Sequence, residues 1–140
     1  WRSMIAIDTD VMTSVLYGNA SIVARLNAVP ITDQLVPIVV VDEILRGRLA
    51  TVRQAEGGTG SLTDAYDKLE RSIRDLRALH ILPFTSPAET LVADWKRQKL
   101  RVGMKDLRIA AICIVHGAKL VTRNARDFNL VPGLNLEIWN

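Results

Sequence analysis

Short β-branched runs alternate with segments of helical period along this chain, and that alternation constrains the fold more than any other feature. Residues 4–7, 35–41, 81–84, 119–122 and 136–139 read as strands, and the segments between them carry helix signals. Residues 35–41, rich in Val and Ile, read as a buried strand. Strands that alternate with helices predict an α/β domain: a doubly wound, mostly parallel sheet with helices on both faces. Ligands of such folds bind beyond the C-terminal strand ends. A chain of 140 residues, 49% hydrophobic and 24% charged, fits one domain with a real core. It carries no repeat or low-complexity segment, and we place the domain at residues 4–140. Trp1-Arg2-Ser3 precedes a Met4 with the look of a native start, so residues 1–3 read as an expression remnant. No apolar run approaches the roughly 18–20 residues of a membrane span, and no signal peptide is evident, so the expectation is a cytoplasmic chain.

Asp10 is placed to cap a helix over residues 11–17, and Gly18-Asn19 ends it. Ser21 opens a second helix, stopped before Pro30. Glu43 begins a helix with Leu45, Leu49 and Val52 at spacings of four and three, broken at Gly57-Gly58-Thr59-Gly60-Ser61. That glycine cluster lacks the Lys-Ser/Thr of a phosphate-binding loop. Leu62, Tyr66, Leu69, Ile73, Leu76 and Leu79 then form one apolar stripe. The two helices predict an antiparallel hairpin over about residues 43–79, its stripe serving as core or as a partner surface. Ser86-Pro87-Ala88-Glu89 reads as an N-cap, a first-position Pro and a third-position Glu, with Leu91, Val92 and Trp95 facing inward. Asp106 opens a central helix that Gly117 terminates.

Three carboxylates stand where these elements meet: Asp8 after the first strand, Glu43 just past the second, and Asp106. Each alone has a structural explanation. Asp8 or Asp10 can cap a helix, Asp106 can be an N-cap, and Glu43 can favour a helix dipole from the first turn. Together on one edge they would repel one another and raise one another's pKa unless a cation relieved the charge. Mg²⁺ or Mn²⁺ takes such oxygen ligands and keeps several waters, activating one of them and stabilising charge on a phosphate. Asp127 and Asn124 are candidates to complete the ligand set, directly or through water. Asp33, Asp42, Asp64 and Asp75 read as surface.

The remaining chemistry is sparse. Cys113, the only cysteine, lies in an apolar run and reads as a small core residue. His80 and His116 have no His or Cys at ligand spacing and read as structural or surface groups. A net charge of +3 permits a polyanionic partner without demanding one. Arg46, Arg48, Lys105, Arg108, Arg123 and Arg126 flank the acidic motifs and read either as a phosphate-binding rim or as solvated surface.

The order of motifs resembles a PIN-domain ribonuclease of the VapC toxin type. It rests on Ile7-Asp8-Thr9-Asp10-Val11, Val41-Asp42-Glu43-Ile44-Leu45-Arg46-Gly47, Lys105-Asp106-Leu107-Arg108-Ile109-Ala110-Ala111 and Leu120-Val121-Thr122-Arg123-Asn124-Ala125-Arg126-Asp127-Phe128. Val131-Pro132-Gly133-Leu134 and Trp139 close the match. The resemblance implies a PIN-like three-layer α/β/α fold with a protruding helical hairpin. It implies a Mg²⁺- or Mn²⁺-dependent endoribonuclease, the toxin of a bacterial toxin–antitoxin pair, with Asp8, Glu43 and Asp106 as its acidic triad. The fourth acidic position is open: Asn124 stands where the family often has Asp, and Asp127 lies three residues on. Thr9, Asp10 and Thr122 would order the site, and Arg46, Lys105, Arg108, Arg123 and Arg126 would meet RNA. A homodimer and a cognate antitoxin, wrapped on the hairpin and blocking the crevice, are implied as partners.

Two rivals remain at this level. Asp8-Thr9-Asp10 also fits the Asp-x-Asp of a haloacid-dehalogenase-type phosphatase, with Asp8 as nucleophile and Asp10 as general acid, although the later Lys and acids are poorly placed for it. A PIN-like module that binds RNA or protein without cutting draws its support from Asn124. A receiver-type signalling domain lacks its acidic pair and its Lys.

Overall fold

The computed structural model describes residues 4–140, so the reading of residues 1–3 as a remnant lies outside the described residues. Among them, five strands form one sheet in the order β3-β2-β1-β4-β5, every neighbouring pair parallel. The strands are β1 (Ile5–Ile7), β2 (Gln34–Pro37), β3 (His80–Leu82), β4 (Lys119–Thr122) and β5 (Leu136–Ile138). The helices between them are α1 (Thr9–Leu16), α2 (Ala20–Asn27), α3 (Ile38–Glu56), α4 (Leu62–Arg77), α5 (Ser86–Arg97), α6 (Met104–His116) and the single turn α7 (Ala125–Phe128). Parallel strands need crossover helices, which cover the sheet and bury its central strands; accordingly β1 and β2 are buried at every position. The strand order reverses between β1 and β4, so the crevice at their C-terminal ends is the topological switch point.

The α/β architecture is as the alternation predicts, and the sheet is wholly rather than mostly parallel. Residues 35–41 are not one strand. β2 ends at Pro37, and Ile38 begins α3. Pro37, at φ −61° and ψ 142°, turns the chain into the helix. The following Val39, Val40 and Val41 are buried in the core, which outweighs their low helix propensity. A short apolar run looks the same as a buried strand or a buried helix turn. Glu43 therefore lies in the second turn of α3 rather than just past a strand.

Three caps also move. Asp8, not Asp10, is the N-cap of α1, its side chain accepting from the Thr9 N–H. Asn19, not Ser21, caps α2 by accepting from the Ile22 N–H. Thr85 rather than Ser86 occupies the N-cap of α5, and its buried Oγ1 has no hydrogen-bond partner. Gly117 ends α6 in the left-handed region at φ 64°, as expected of a glycine after a helix.

α6 is the central helix, with Ile109, Ala110, Ala111, Ile112 and Cys113 fully buried. Cys113 is thus a core residue, and burial pushes its thiol up to about 12, far from a reactive thiolate. α3 and α4 pack as a hairpin, and Arg48 of α3 donates to the Ser72 hydroxyl of α4 at 2.8 Å. The apolar stripe of α4 is divided. Leu76 is buried and Leu69 and Leu79 half-buried, but Leu62, Tyr66 and Ile73 are 43%, 51% and 47% exposed. Small side chains, Ala65 and Ser72, take the buried positions instead and let the two helices approach.

Core and hairpin thus differ in energetic weight. Ile112→Ala should cost about 2–5 kcal/mol of unfolding free energy, and Leu49→Ala on the exposed side of α3 under about 1 kcal/mol. Urea denaturation of the two variants measures the difference.

Candidate active site

The crevice forms because the β1–β4 pair delivers two polar side chains to one point. β1 runs into Asp8, whose N–H donates to the Val121 carbonyl at 3.1 Å and so extends the β1–β4 pairing by one residue. β4 ends at Thr122, which is fully buried. Its hydroxyl donates to Asp8 Oδ2 at 2.6 Å, while the Thr9 N–H donates to Asp8 Oδ1 at 2.7 Å. The Asn124 N–H donates to the Thr122 hydroxyl oxygen at 3.0 Å and leaves its hydrogen for Asp8. Asp8 is thus fixed in orientation and only 4% exposed.

Glu43 arrives from α3. The Thr9 hydroxyl donates to its Oε1 at 2.7 Å, so Thr9 orients two acids at once: one with its backbone, one with its side chain. Asp106 stands in the first turn of α6, whose N-cap is Gly103, so its carboxylate is not spent on a cap. Asp127 lies in α7, and the Asn124 amide donates to its Oδ2 at 3.3 Å.

Burial and neighbouring charge act together on two of these acids. Burial pushes the Asp8 carboxyl up to about 7; the bonds from Thr122 and Thr9 oppose this, and the charges of Asp10 and Asp106 add to it. Burial raises Asp106 to about 6, with Glu43, Asp127 and Asp10 adding repulsion. Asp10 and Asp106 thus lie within electrostatic reach of Asp8, and Glu43, Asp127 and Asp10 within reach of Asp106. Among the described residues, however, no three acidic, His or Cys side chains converge on a single point as a ready metal cage. The donors are all oxygens, which suits a hard divalent cation that keeps several waters.

Asp10 has a different role from the cap expected of it. Both its oxygens accept from the Arg123 N–H, at 3.3 and 3.2 Å, tying α1 to the turn after β4. The Arg123 guanidinium turns back to the Ser14 hydroxyl at 3.0 Å. Asp42, read as surface, joins two helices. Arg46 donates to its Oδ1 at 2.7 Å, and Lys105 of α6 reaches its Oδ2 at 3.0 Å. The Arg46 and Lys105 bonds hold the Asp42 carboxyl below the usual carboxylate range. This bridge links the residues next to Glu43 and Asp106. Arg46 at the fourth position after Asp42 was a visible signal for it; Lys105, distant in sequence, was not. Asp33, also read as surface, is buried. Of the basic residues, Arg46 and Lys105 are held by Asp42 and Arg123 by α1, while Arg108 and Arg126 are exposed. Arg48 sits on the hairpin, over the Tyr17 ring at 5.5 Å, and lines a small cavity with Thr9 and Glu43.

Comparison with known proteins adds a family. The PIN domain model matches residues 5–134. Ribonuclease VapC1 of Rickettsia felis is 37% identical over 46 residues, 33% of this chain and 34% of that protein, so the chain matches about a third of that relative's length. Among solved structures, the DNA-bound VapBC of Salmonella typhimurium superposes with a TM-score of 0.78 at 20% identity, covering 99% of this chain and 100% of that one. FitAcB of Neisseria gonorrhoeae gives 0.74 at 25% identity, covering 98% and 97%. These likenesses leave the haloacid-dehalogenase and receiver readings without support.

A raised carboxyl pKa has a thermodynamic sign. Asp8 is about 7 in the fold against 3.8 when unperturbed, so the folded state binds the proton more tightly, and the resulting stability is present at low pH and lost as pH rises through about 7. In chelator, thermal melts should therefore shift in favour of Asp8→Asn relative to wild type by about 5 °C or more between pH 5 and pH 8. Parallel pH dependences for the two proteins would contradict the assignment.

Proposed function

We propose that this chain, which belongs to the PIN-domain family, is a divalent-metal-dependent endoribonuclease and the toxin of a toxin–antitoxin pair. The observation that carries the reading is the placement of Asp8 at the sheet's switch point, held by Thr122 and Thr9, with Glu43 held by the same Thr9; burial and the neighbouring acids raise the carboxyls of Asp8 and Asp106. Such a cluster is stabilised by a cation, and Asp8, Glu43 and Asp106 would hold Mg²⁺ or Mn²⁺ with Asp127 as the fourth acid. Asn124 then acts as the holder of Asp127 through their 3.3 Å bond. The bound ion supplies a water of lowered pKa and charge stabilisation on the phosphate.

The chain's own groups do the rest. Thr122 and Thr9 each donate to one Asp8 oxygen, and each oxygen keeps acceptor capacity for a cation. Thr9 leaves Glu43 Oε2 free by occupying Oε1. Asp42 holds the ammonium of Lys105, the residue before Asp106, and a phosphate approaching the acids would meet that positive charge. Arg46, Arg108, Arg123 and Arg126 extend that charge around the rim and steer RNA toward it.

The likeness to VapBC and FitAcB complexes supports an antitoxin as partner, and the exposed Leu49, Leu62, Tyr66 and Ile73 on the hairpin give it an apolar face to cover. A homodimer working in the cytoplasm completes the reading. No helix among the described residues is long and apolar enough to cross a membrane.

The test is cleavage of total bacterial RNA by the antitoxin-free chain with Mg²⁺ or Mn²⁺ and with EDTA. Discrete fragments should appear, vanish with EDTA, and fall by about a hundredfold or more in Asp8→Asn and Asp106→Asn. Cutting that survives both substitutions would place the chemistry elsewhere. Metal-independent RNA binding by a folded wild type that cuts nothing would favour the non-catalytic module.

A further inference from the structure

A second cleft opens among α3, α5 and α6, two of which also carry acids of the site. Its volume is about 430 Å³, within the range of small-ligand sites. Two helices carry residues of both. Val39 lines the cleft one turn before Glu43 on α3, and Met104 and Arg108, one turn apart, line it from the face of α6 turned away from Asp106. α5 supplies the opposite wall at helical spacing: Glu89, Val92, Ala93 and Lys96.

The lining is mixed in an informative way. Val39, Val92 and Met104 make an apolar floor, and the Phe84 ring stands at it. A flat, polarisable ligand suits that surface, through stacking on the ring and contact with the thioether. Lys96 and Arg108 place two positive charges at the cleft, as the phosphates on either side of a bound nucleotide require. Among the described residues Glu89, Lys96 and Arg108 enter no ion pair, so all three charges are available to a ligand. Glu89 is the discriminating group. A carboxylate repels phosphate, so in a site for RNA it must accept from a base. Its two oxygens match two adjacent donors, and guanine alone among the four bases offers a ring N–H and an amino group side by side.

We propose that this cleft is a subsite for an unpaired guanine of the RNA, its base against Phe84 and Met104, its ring N–H and amino group donating to Glu89, and its flanking phosphates on Arg108 and Lys96. The proposal rests on reading the neighbouring acids as an RNA-cutting site and assigns that site a base preference. Because Val39 of the cleft and Glu43 of the crevice are one turn apart on α3, the preferred guanine lies within a few nucleotides of the cleaved linkage.

The test is fluorescence anisotropy with a short labelled oligouridine carrying one central guanosine, inosine or adenosine. The protein is the full chain in the Asp8→Asn background, which the reading leaves unable to cut; Asp106→Asn serves if that chain does not fold. Inosine lacks only the amino group, so the guanosine oligonucleotide should bind about tenfold more tightly than the inosine one, and Glu89→Gln should reduce that ratio to about twofold or less. Equal affinity for the two, or a ratio unchanged by Glu89→Gln, overturns the proposal. So does loss of a dimer in Phe84→Ala and Arg108→Ala with RNA affinity intact, because the cleft is then an interface between copies. Mapping of wild-type cleavage separates this proposal from the activity itself. Cutting without guanine near the site sinks the subsite and keeps the nuclease. Selective binding of the guanosine oligonucleotide by a chain that cuts no RNA keeps the subsite and sinks the nuclease.

Discussion

The bond from Thr122 to Asp8 is the contact on which the rest of the site depends. It lies at the end of the β1–β4 pairing, where the order of the sheet reverses, and it is buried. Parallel pairing of Ile7 with Val121 sets the register, and the next residue on each strand is the polar one. A slip of one residue would send Thr122 to the opposite face and leave Asp8 buried without its hydroxyl. The apolar core on both faces holds that register, so sheet packing and site geometry are one constraint.

Around that contact the polar groups are connected in sequence. Asn124 donates to Thr122, Thr122 to Asp8, and Thr9 to both Asp8 and Glu43. Asp10 fastens the turn that carries Arg123 and Asn124, and Asn124 in turn holds Asp127. Hydroxyls and amides therefore position the acids, while repulsion between the acids works against burial. The fold holds a charge arrangement that it would not choose for stability alone, and this is the usual condition of a site kept for a ligand.

Much of this was legible in the chain. β4 follows from its apolar run, β1 from the run ended by Asp8, and the end of α6 from Gly117. The edge argument singled out Asp8, Glu43 and Asp106, and the charges of Asp106 and Glu43 do act on Asp8 and Asp106 respectively. What was not legible depended on tertiary context. The Val residues after Pro37 favour a strand locally but pack as the first turns of α3. The stripe of α4 followed its period faithfully, yet the hairpin buried Ala65 and Ser72 and turned Tyr66 and Ile73 outward. Asp42 looked like any surface acid because Lys105, its partner on α6, is remote in sequence. Asp8 and Asp10 are interchangeable as caps in the sequence; the start of α1 at Thr9, whose N–H donates to Asp8, and the Arg123 N–H on Asp10 separate them.

The most direct measurement of the central claim is a carbon-13 NMR titration of the Asp8 and Asp106 carboxyl groups, without metal and with saturating Mg²⁺. Without metal the two should titrate near 7 and near 6. With Mg²⁺ both should fall well below their metal-free values, because the cation competes with the proton for the same oxygens. Ordinary carboxylate titrations in the metal-free protein, or raised values that Mg²⁺ leaves unmoved, would contradict the account of a crevice built to hold a cation.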